Sequence, residues 1–285
     1  MVLSLINYCI TLNSFHDTQS LDKILENLVR CNYDGIEIEG SPNQFSWKQY
    51  LDKIKCFNLS VIGVTGAWTK RDVENGHTPI LLTNDYNKLS YSITYIQNCI
   101  KMCNYLGGNL FNICLLSDYS ESQDFNHTNI SPREKTKSLQ RITSILSDLS
   151  KFSQEYGIYL LLEPLNRYST PYFVQAKDAI DLSSKINHDH LLLLLDTYHM
   201  NIEEKNLAEA INDSNKFLKH IHLSDNNRLM PGRGHIDFDL IIKSLKNINY
   251  KNNISFETIL PRKNYKPDLK YGLNYIKKIS KKYDL

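Results

Sequence analysis

The sequence has almost no excess of charge and no long apolar run. Its 33 lysine and arginine residues nearly balance its 31 aspartate and glutamate residues, which leaves a formal net charge of +2. This balance argues against a protein that binds nucleic acid through a broad basic face. No apolar run approaches the roughly 20 residues that a membrane-spanning helix needs. We therefore expect neither a nucleic acid nor a membrane as a partner.

The cysteine spacings that mark metal clusters and disulfide frameworks are also missing. Six cysteines lie in the first half of the chain, and no two of them form a Cys-x-x-Cys pair. The first residues, Met1–Tyr8, lack a leading basic residue and contain only a short apolar run. They predict a first strand rather than a signal peptide, which favours a reducing, cytoplasmic setting.

What the sequence does contain is a regular alternation of short apolar runs and amphipathic helices. The five leucines at Leu191–Leu195 are typical of a strand buried on both faces, as in a parallel sheet. Eight strand-then-helix units follow one another, from a strand at Val2–Ile10 onward, and one of the helices is predicted at Leu207–Leu218. A barrel of roughly 250 residues has about 31 residues per unit, which this chain matches. We predict one (β/α)8 TIM barrel domain over residues 1–285.

Polar residues stand at the ends of the last four predicted strands: Glu163, Asp196, His222 and Glu257. Each alone has an ordinary explanation, as a helix cap, a solvent-facing strand end or a core histidine. Together they would meet at the carboxyl end of the barrel, where three carboxylates repel one another unless a cation is present. Three oxygen ligands and one imidazole suit Mn²⁺, Mg²⁺, Co²⁺ or Zn²⁺, and Mn²⁺ is our first expectation.

Further polar groups are expected over the mouth of this pocket. His199 follows Asp196 by three residues, and Arg228 follows His222 by six. Pro231–Gly234 predicts a tight loop in which the backbone approaches a ligand closely.

The first half of the barrel offers fewer pocket residues. Trp68 stands at the root of a long polar loop, Thr69–Asp85, which is either a lid over the ligand or a packed loop. Glu39 and Tyr8, in the first two strands, are further candidates for the pocket wall.

Several of these segments resemble the xylose-isomerase-like barrel superfamily, and within it the ketose 3-epimerases. The similar segments are Glu163-Pro-Leu-Asn-Arg-Tyr, Asp196-Thr-Tyr-His199, His222-Leu-Ser-Asp-x-x-Arg228, Pro231-Gly-x-Gly and Phe256-Glu257. Order and spacing agree throughout the second half of the chain. The first half agrees only in general pattern, as in Tyr33-Asp-Gly-Ile-Glu-Ile.

The resemblance implies an isomerase that inverts a ketose at C3 through an enediolate. It implies a metal held by Glu163, Asp196, His222 and Glu257, with Glu163 and Glu257 as the acid/base pair. It implies that His199 and Arg228 hold substrate oxygens, and that the protein forms dimers or tetramers. A small sugar is therefore the expected substrate.

One departure from the family pattern leaves other reactions open. The family has a second, substrate-contacting glutamate six residues after the first, and this chain has Ser169 there. Returning the proton to the neighbouring carbon would make the protein an aldose–ketose isomerase. Loss of a hydroxyl would make it a dehydratase of the keto-inositol type. Whether the sugar is phosphorylated is also open.

Two readings outside sugar isomerisation are less favoured. The apurinic endonucleases of the same superfamily need three zinc ions, with histidines at the ends of strands three and four and an Asp-x-His after strand seven. Those histidines and that motif are absent here. The second is a barrel that binds a sugar without catalysing a reaction, which would have no need of the acid/base pair.

Overall fold

Eight parallel strands close into a barrel in the order of the sequence. The computed structural model describes residues 6–16, 19–43, 46–66, 79–117 and 131–285. The barrel closes where the first strand pairs with the last, Cys9 opposite Ser255. The strands are β1 Tyr8–Thr11, β2 Gly35–Glu39, β3 Ser60–Thr65, β4 Leu110–Cys114, β5 Tyr159–Glu163, β6 Leu191–Asp196, β7 Leu218–Leu223 and β8 Ile254–Phe256.

Helices surround the barrel and connect its strands. The helices of the described residues are α1 Leu21–Arg30, α2 Trp47–Lys55, α3 Tyr86–Leu106, α4 Pro132–Glu155, α5 Ala176–Ile186, α6 Thr197–Glu203, α7 Leu207–Asp213, α8 Phe238–Asn247 and α9 Lys266–Tyr283. Their apolar stripes pack on strands that are themselves almost wholly buried, as the leucine run of β6 is. In the described part of the chain, no helix is long and apolar enough to cross a membrane. The predicted TIM barrel is confirmed.

Three features differ from the sequence-based expectation. Among the described residues β1 runs from Tyr8 to Thr11, so Ile6 and Asn7 precede it, whereas the first part of the expected strand Val2–Ile10 lies outside the described residues. The helix expected at Leu207–Leu218 ends at Asp213, because Leu218 pairs with Leu193 and opens β7. An additional helix, α6, begins directly after β6, and the carboxylate of Asp196 caps it by accepting from the backbone N–H of Tyr198 at 2.8 Å.

Candidate metal and active site

The structure brings together the four residues predicted as metal ligands. Glu163 ends β5, Asp196 ends β6, His222 stands next to last in β7, and Glu257 follows β8. One ligand atom from each lies within 4.8 Å of the other three, and all four residues are buried. In the barrel register Asp196 stands opposite His222, so these two ligands are set side by side by strand pairing. This group could hold a divalent metal ion.

Two ligand atoms in this group are buried without a partner. Oε1 of Glu163 and Nδ1 of His222 make no hydrogen bond within the described residues. Buried polar atoms are nearly always paired, so two unpaired atoms in one cluster call for an explanation. A cation coordinated by both would satisfy them, and the three carboxylates supply the charge that a divalent ion needs. The donor set therefore fits the metal that the sequence predicts.

The other carboxylate oxygen of Glu163 is anchored to the neighbouring strand. Nδ2 of Asn112 donates to Glu163 Oε2 at 2.7 Å, and the thiol of Cys114 lies 3.4 Å from the same oxygen. Asn112 is itself fixed, because its Oδ1 accepts from the backbone N–H of Gly66. This anchoring leaves Oε1 as the oxygen of Glu163 that is free to bind an ion or a proton.

Arg228 supplies positive charge to the cluster from the loop after β7. Its guanidinium donates to Asp196 Oδ2 and to Glu257 Oε2, the latter at 2.9 Å. It also lies over the ring of Tyr198, 4.7 Å from the ring centroid. The sequence predicted Arg228 as a substrate-binding residue, and in this structure it contacts two of the candidate ligands. The positive charge of Arg228 therefore screens the carboxylates from one another.

The environment separates the acidities of the two candidate acid/base residues. Burial and the nearby charge of Glu257 raise the pKa of Glu163 to about 8. Burial would also raise the pKa of Glu257, but Arg228 and His222 outweigh it and hold that pKa well below its usual range. Asp196 lies between these extremes, since burial raises its pKa to about 6. At neutral pH the metal-free site thus holds one protonated and one ionised glutamate.

His199, on α6, is held in one tautomer. Its Nδ1 accepts from the backbone N–H of Asn166 at 3.1 Å and lies 2.9 Å from the side-chain Nδ2 of the same residue. Because Nδ1 is an acceptor, the ring hydrogen stays on Nε2. Burial, aided by the charge of Arg228, lowers the pKa of His199 to about 3. His199 is therefore a neutral histidine with a fixed N–H donor.

The loop after β5 is clamped to α6, which positions Asn166 and His199 relative to each other. Arg167 donates through its backbone N–H and its guanidinium to the buried carboxylate of Glu203, at 2.7 to 2.9 Å. Ser169, at the position where the family pattern has a glutamate, lies in the same loop, with its hydroxyl 3.5 Å from Asn166 Oδ1.

The glycine-containing loop after β7 is folded around a buried carboxylate. Asp225 accepts from the backbone N–H groups of Gly232, Gly234 and Ile236, at 2.7 to 3.1 Å. A Cβ on Gly234 would overlap the side-chain oxygens of Asn226 and Asp225. Among the described residues Pro231–Gly234 therefore closely approaches Asp225 and Asn226, and its approach to a ligand stays a prediction. The loop thereby fixes Arg228, whose backbone N–H donates to the carbonyl of Asp225.

Two of the three remaining predicted pocket residues, Tyr8 and Glu39, are not part of the cluster. Tyr8 is the first residue of β1, at the amino end of the barrel, and its ring lies against Lys277 of α9. The prediction that Tyr8 lines the pocket is therefore wrong. Glu39 ends β2 at the expected end of the barrel, where it lines a cavity of about 240 Å³ with His16 and Tyr50. Trp68 lies outside the described residues.

Four polar residues near the cluster are not among those predicted from the sequence. Asn112 donates a hydrogen bond to Glu163, and Asn166 donates one to His199. Glu37 contacts both His220 and His222. The sequence carries a signal for two of them. Asn112 interrupts an apolar strand, and His220 stands two residues before His222, on the same face of β7.

Comparisons with known proteins agree with this architecture. The family model described as xylose isomerase-like TIM barrel matches residues 25–279. A D-psicose 3-epimerase of Enterocloster bolteae is 28% identical over 235 residues, which cover 72% of this chain and 74% of that protein. A 3-dehydro-D-guloside 4-epimerase of Escherichia coli is 35% identical over 127 residues, 45% of this chain and 48% of that protein.

A solved structure matches nearly the whole chain. The D-psicose 3-epimerase of Clostridium cellulolyticum H10, with D-tagatose, superposes with a TM-score of 0.81 at 19% identity, covering 96% of this chain and 99% of that one. At this identity the superposition speaks for the fold alone. The resemblance to ketose 3-epimerases that the sequence motifs indicated is confirmed. The chain belongs to the xylose isomerase-like TIM barrel family.

Proposed function

We propose that this protein is a metal-dependent carbohydrate epimerase that inverts ketoses at C3. The observation that carries the proposal is the pair of buried glutamates, Glu163 and Glu257, whose pKa values the site moves in opposite directions. Two carboxyl groups with separated pKa values are the usual arrangement for an acid and a base in one pocket. The similarity to D-psicose and L-ribulose 3-epimerases supports a ketose as substrate.

Inversion beside a carbonyl needs a base on one face of the carbon and an acid on the other. In the direction that starts with Glu257 ionised, its carboxylate takes the C3 proton and the bonding electrons pass into the enediolate. Glu163 then delivers its own proton to the opposite face of C3. The sugar gains and loses one proton, so it leaves as the epimer. The two glutamates exchange roles for the reverse reaction.

The remaining residues hold the sugar and its charge. Glu163, Asp196, His222 and Glu257 would hold the divalent ion, which supplies Lewis-acid stabilisation of negative charge on adjacent sugar oxygens when bound. The Nε2–H group of His199 is a fixed donor for a substrate oxygen, because Asn166 occupies the other ring nitrogen.

A product analysis tests this proposal. The Mn²⁺-loaded protein is incubated with ketopentoses and ketohexoses, and the products are separated by chromatography. We expect pairs of ketoses that differ only at C3. Products that differ only in the position of the carbonyl group would show an aldose–ketose isomerase instead, and loss of water would show a dehydratase.

A second candidate reaction is epimerisation at C4 of a sugar that carries its carbonyl at C3. The relative from E. coli named 3-dehydro-D-guloside 4-epimerase favours it, as does Ser169, which removes the glutamate that the ketose 3-epimerase pattern places there. The proton transfer is the same, since C4 is then the carbon beside the carbonyl. Activity on 3-keto glycosides without activity on free ketoses would identify this reaction.

The expected homodimer or homotetramer and the choice of Mn²⁺ also belong to this proposal. Light scattering of the purified protein would test the first. Activity of the metal-free protein after addition of Mn²⁺, Mg²⁺, Co²⁺ or Zn²⁺ would test the second.

A further inference from the structure

A second polar group lies inside the barrel next to the candidate metal ligands. Glu37 of β2 reaches across the barrel to His220 and His222 of β7, and all three residues are buried. β2 pairs with β1 and β3, whereas β7 pairs with β6 and β8, so this contact is made only by side chains that cross the interior. His220 and His222 are two residues apart and therefore point to the same side of the strand.

The hydrogen bonds of this group determine which nitrogen of His222 carries a hydrogen. Glu37 Oε1 lies 2.9 Å from His220 Nε2, and both oxygens of Glu37 lie 3.2 Å from His222 Nε2. The carboxylate of Glu37 thus lies within hydrogen-bond distance of both Nε2 atoms. A carboxylate oxygen accepts hydrogen bonds, so each Nε2 donates.

The other nitrogen of His222 faces the ligand cluster. Nδ1 lies 3.5 Å from Glu257 Oε2 and makes no hydrogen bond within the described residues. With the donor hydrogen on Nε2, Nδ1 is the ring nitrogen that gives up its hydrogen when an ion binds, and its lone pair then points into the ligand cluster. The ring is thus oriented for coordination before an ion arrives.

We propose that Glu37 is a positioning residue for the metal, acting through His222. Glu37 fixes the tautomer and the ring orientation of His222. His220, which lies on β7 like His222, holds Glu37 in place. Partners of this kind, behind a ligating histidine, typically contribute 10–100-fold to metal affinity. The inference rests on the proposed metal site, because it assigns to Glu37 a role in building that site.

The test is Mn²⁺ binding by the full chain, measured by titration calorimetry, with Glu37→Gln as the variant. Glutamine keeps the shape but replaces one acceptor oxygen by a donor NH₂ group. That group competes with the Nε2–H donors, so it favours the tautomer of His222 that carries its hydrogen on Nδ1. We expect one Mn²⁺ per chain in both proteins and a 10–100-fold weaker Kd in the variant.

A matched control removes a buried polar group elsewhere in the barrel. Ser183→Ala deletes a buried hydroxyl on α5, in the helical layer, that makes no hydrogen bond within the described residues, and it should leave the Kd for Mn²⁺ unchanged. Equal affinity of folded Glu37→Gln and the parent would overturn the proposal. Failure of the parent itself to bind Mn²⁺ would overturn the proposed metal site, and this inference with it.

Two further outcomes keep the proposal decidable. If the parent binds two Mn²⁺ and Glu37→Gln binds one, then Glu37, His220 and His222 hold a second ion, and the positioning role is wrong. If Glu37→Gln does not fold, the unaltered protein loaded with diamagnetic Zn²⁺ is used for ¹⁵N NMR of its histidines. A hydrogen on Nε2 of His222, with metal at Nδ1, supports the proposal. The opposite tautomer overturns it.

Discussion

Metal uptake by this site should release protons, and the number released can be worked out from the structure. Before an ion binds, burial and Glu257 keep the pKa of Glu163 at about 8, so Glu163 is roughly 90% protonated at pH 7. Burial opposes the charging of His222, but Glu37 and Glu257 raise its pKa well above its ordinary value, so it is also protonated. The nitrogen of His222 that binds the ion must lose its hydrogen, whereas Glu163 keeps the proton that it delivers in catalysis, so about one proton should leave per ion at pH 7.

The same count sets the pH dependence of affinity. Each proton displaced weakens binding about tenfold per pH unit, so the Kd for Mn²⁺ should rise roughly tenfold between pH 7 and pH 6. Near the lower end Asp196, whose pKa burial raises to about 6, adds a further contribution. The affinity for Mn²⁺ therefore falls as pH falls.

Titration calorimetry in buffers of different ionisation enthalpy measures the released protons directly. The slope of the observed heat against buffer enthalpy should correspond to about one proton for the parent and, because Glu163 keeps its proton, also to about one for Glu163→Gln. A release below roughly half a proton by the parent at pH 7 would refute this account of the charges in the metal-free site.

Three shorter predictions concern single residues. Glu257→Gln should lower kcat at least about 10³-fold while sugar binding remains measurable by calorimetry, and full activity would show that Glu257 is not the base. The pKa of Glu163 is raised from 4.5 to about 8, so the stability it contributes is full below pH 4.5 and lost as pH rises through 8. Metal-free Glu163→Gln should therefore gain on the order of 4 kcal/mol relative to the parent between pH 5 and pH 8 in denaturant titrations, and equal pH profiles would contradict this. Gly234→Ala should cost about 2 kcal/mol or more, because its Cβ would overlap Asp225, whereas Gly157→Ala, with open space beside it, should cost about 1 kcal/mol.

The sequence was sufficient to predict the barrel and the location of its cluster. Buried parallel strands must be apolar along their length, so a polar residue that ends such a run, as Asp196 ends the leucines of β6, marks the carboxyl edge of the barrel. The convergence of four such ends follows from closure of the sheet. No side-chain coordinates are needed for that step.

What the sequence did not predict depends on where strands begin and where side chains reach. Tyr8 was placed near the end of a strand starting at Val2, but it begins β1, and this shift moved it to the opposite end of the barrel. The contact of Glu37 with His222 crosses the interior between strands that do not pair, so no local pattern reports it. The glycines of Pro231–Gly234 indicated a close approach but not that Asp225 makes it.

The central claim is that Glu163 and Glu257 exchange protons with opposite faces of C3 of a ketose. The most direct measurement is NMR of ketoses incubated in D₂O with the Mn²⁺-loaded protein. We expect deuterium at C3 of the epimeric product and suppression of this incorporation by Glu257→Gln. An aldose that carries deuterium at C2, or turnover with no deuterium at C3, would contradict this assignment.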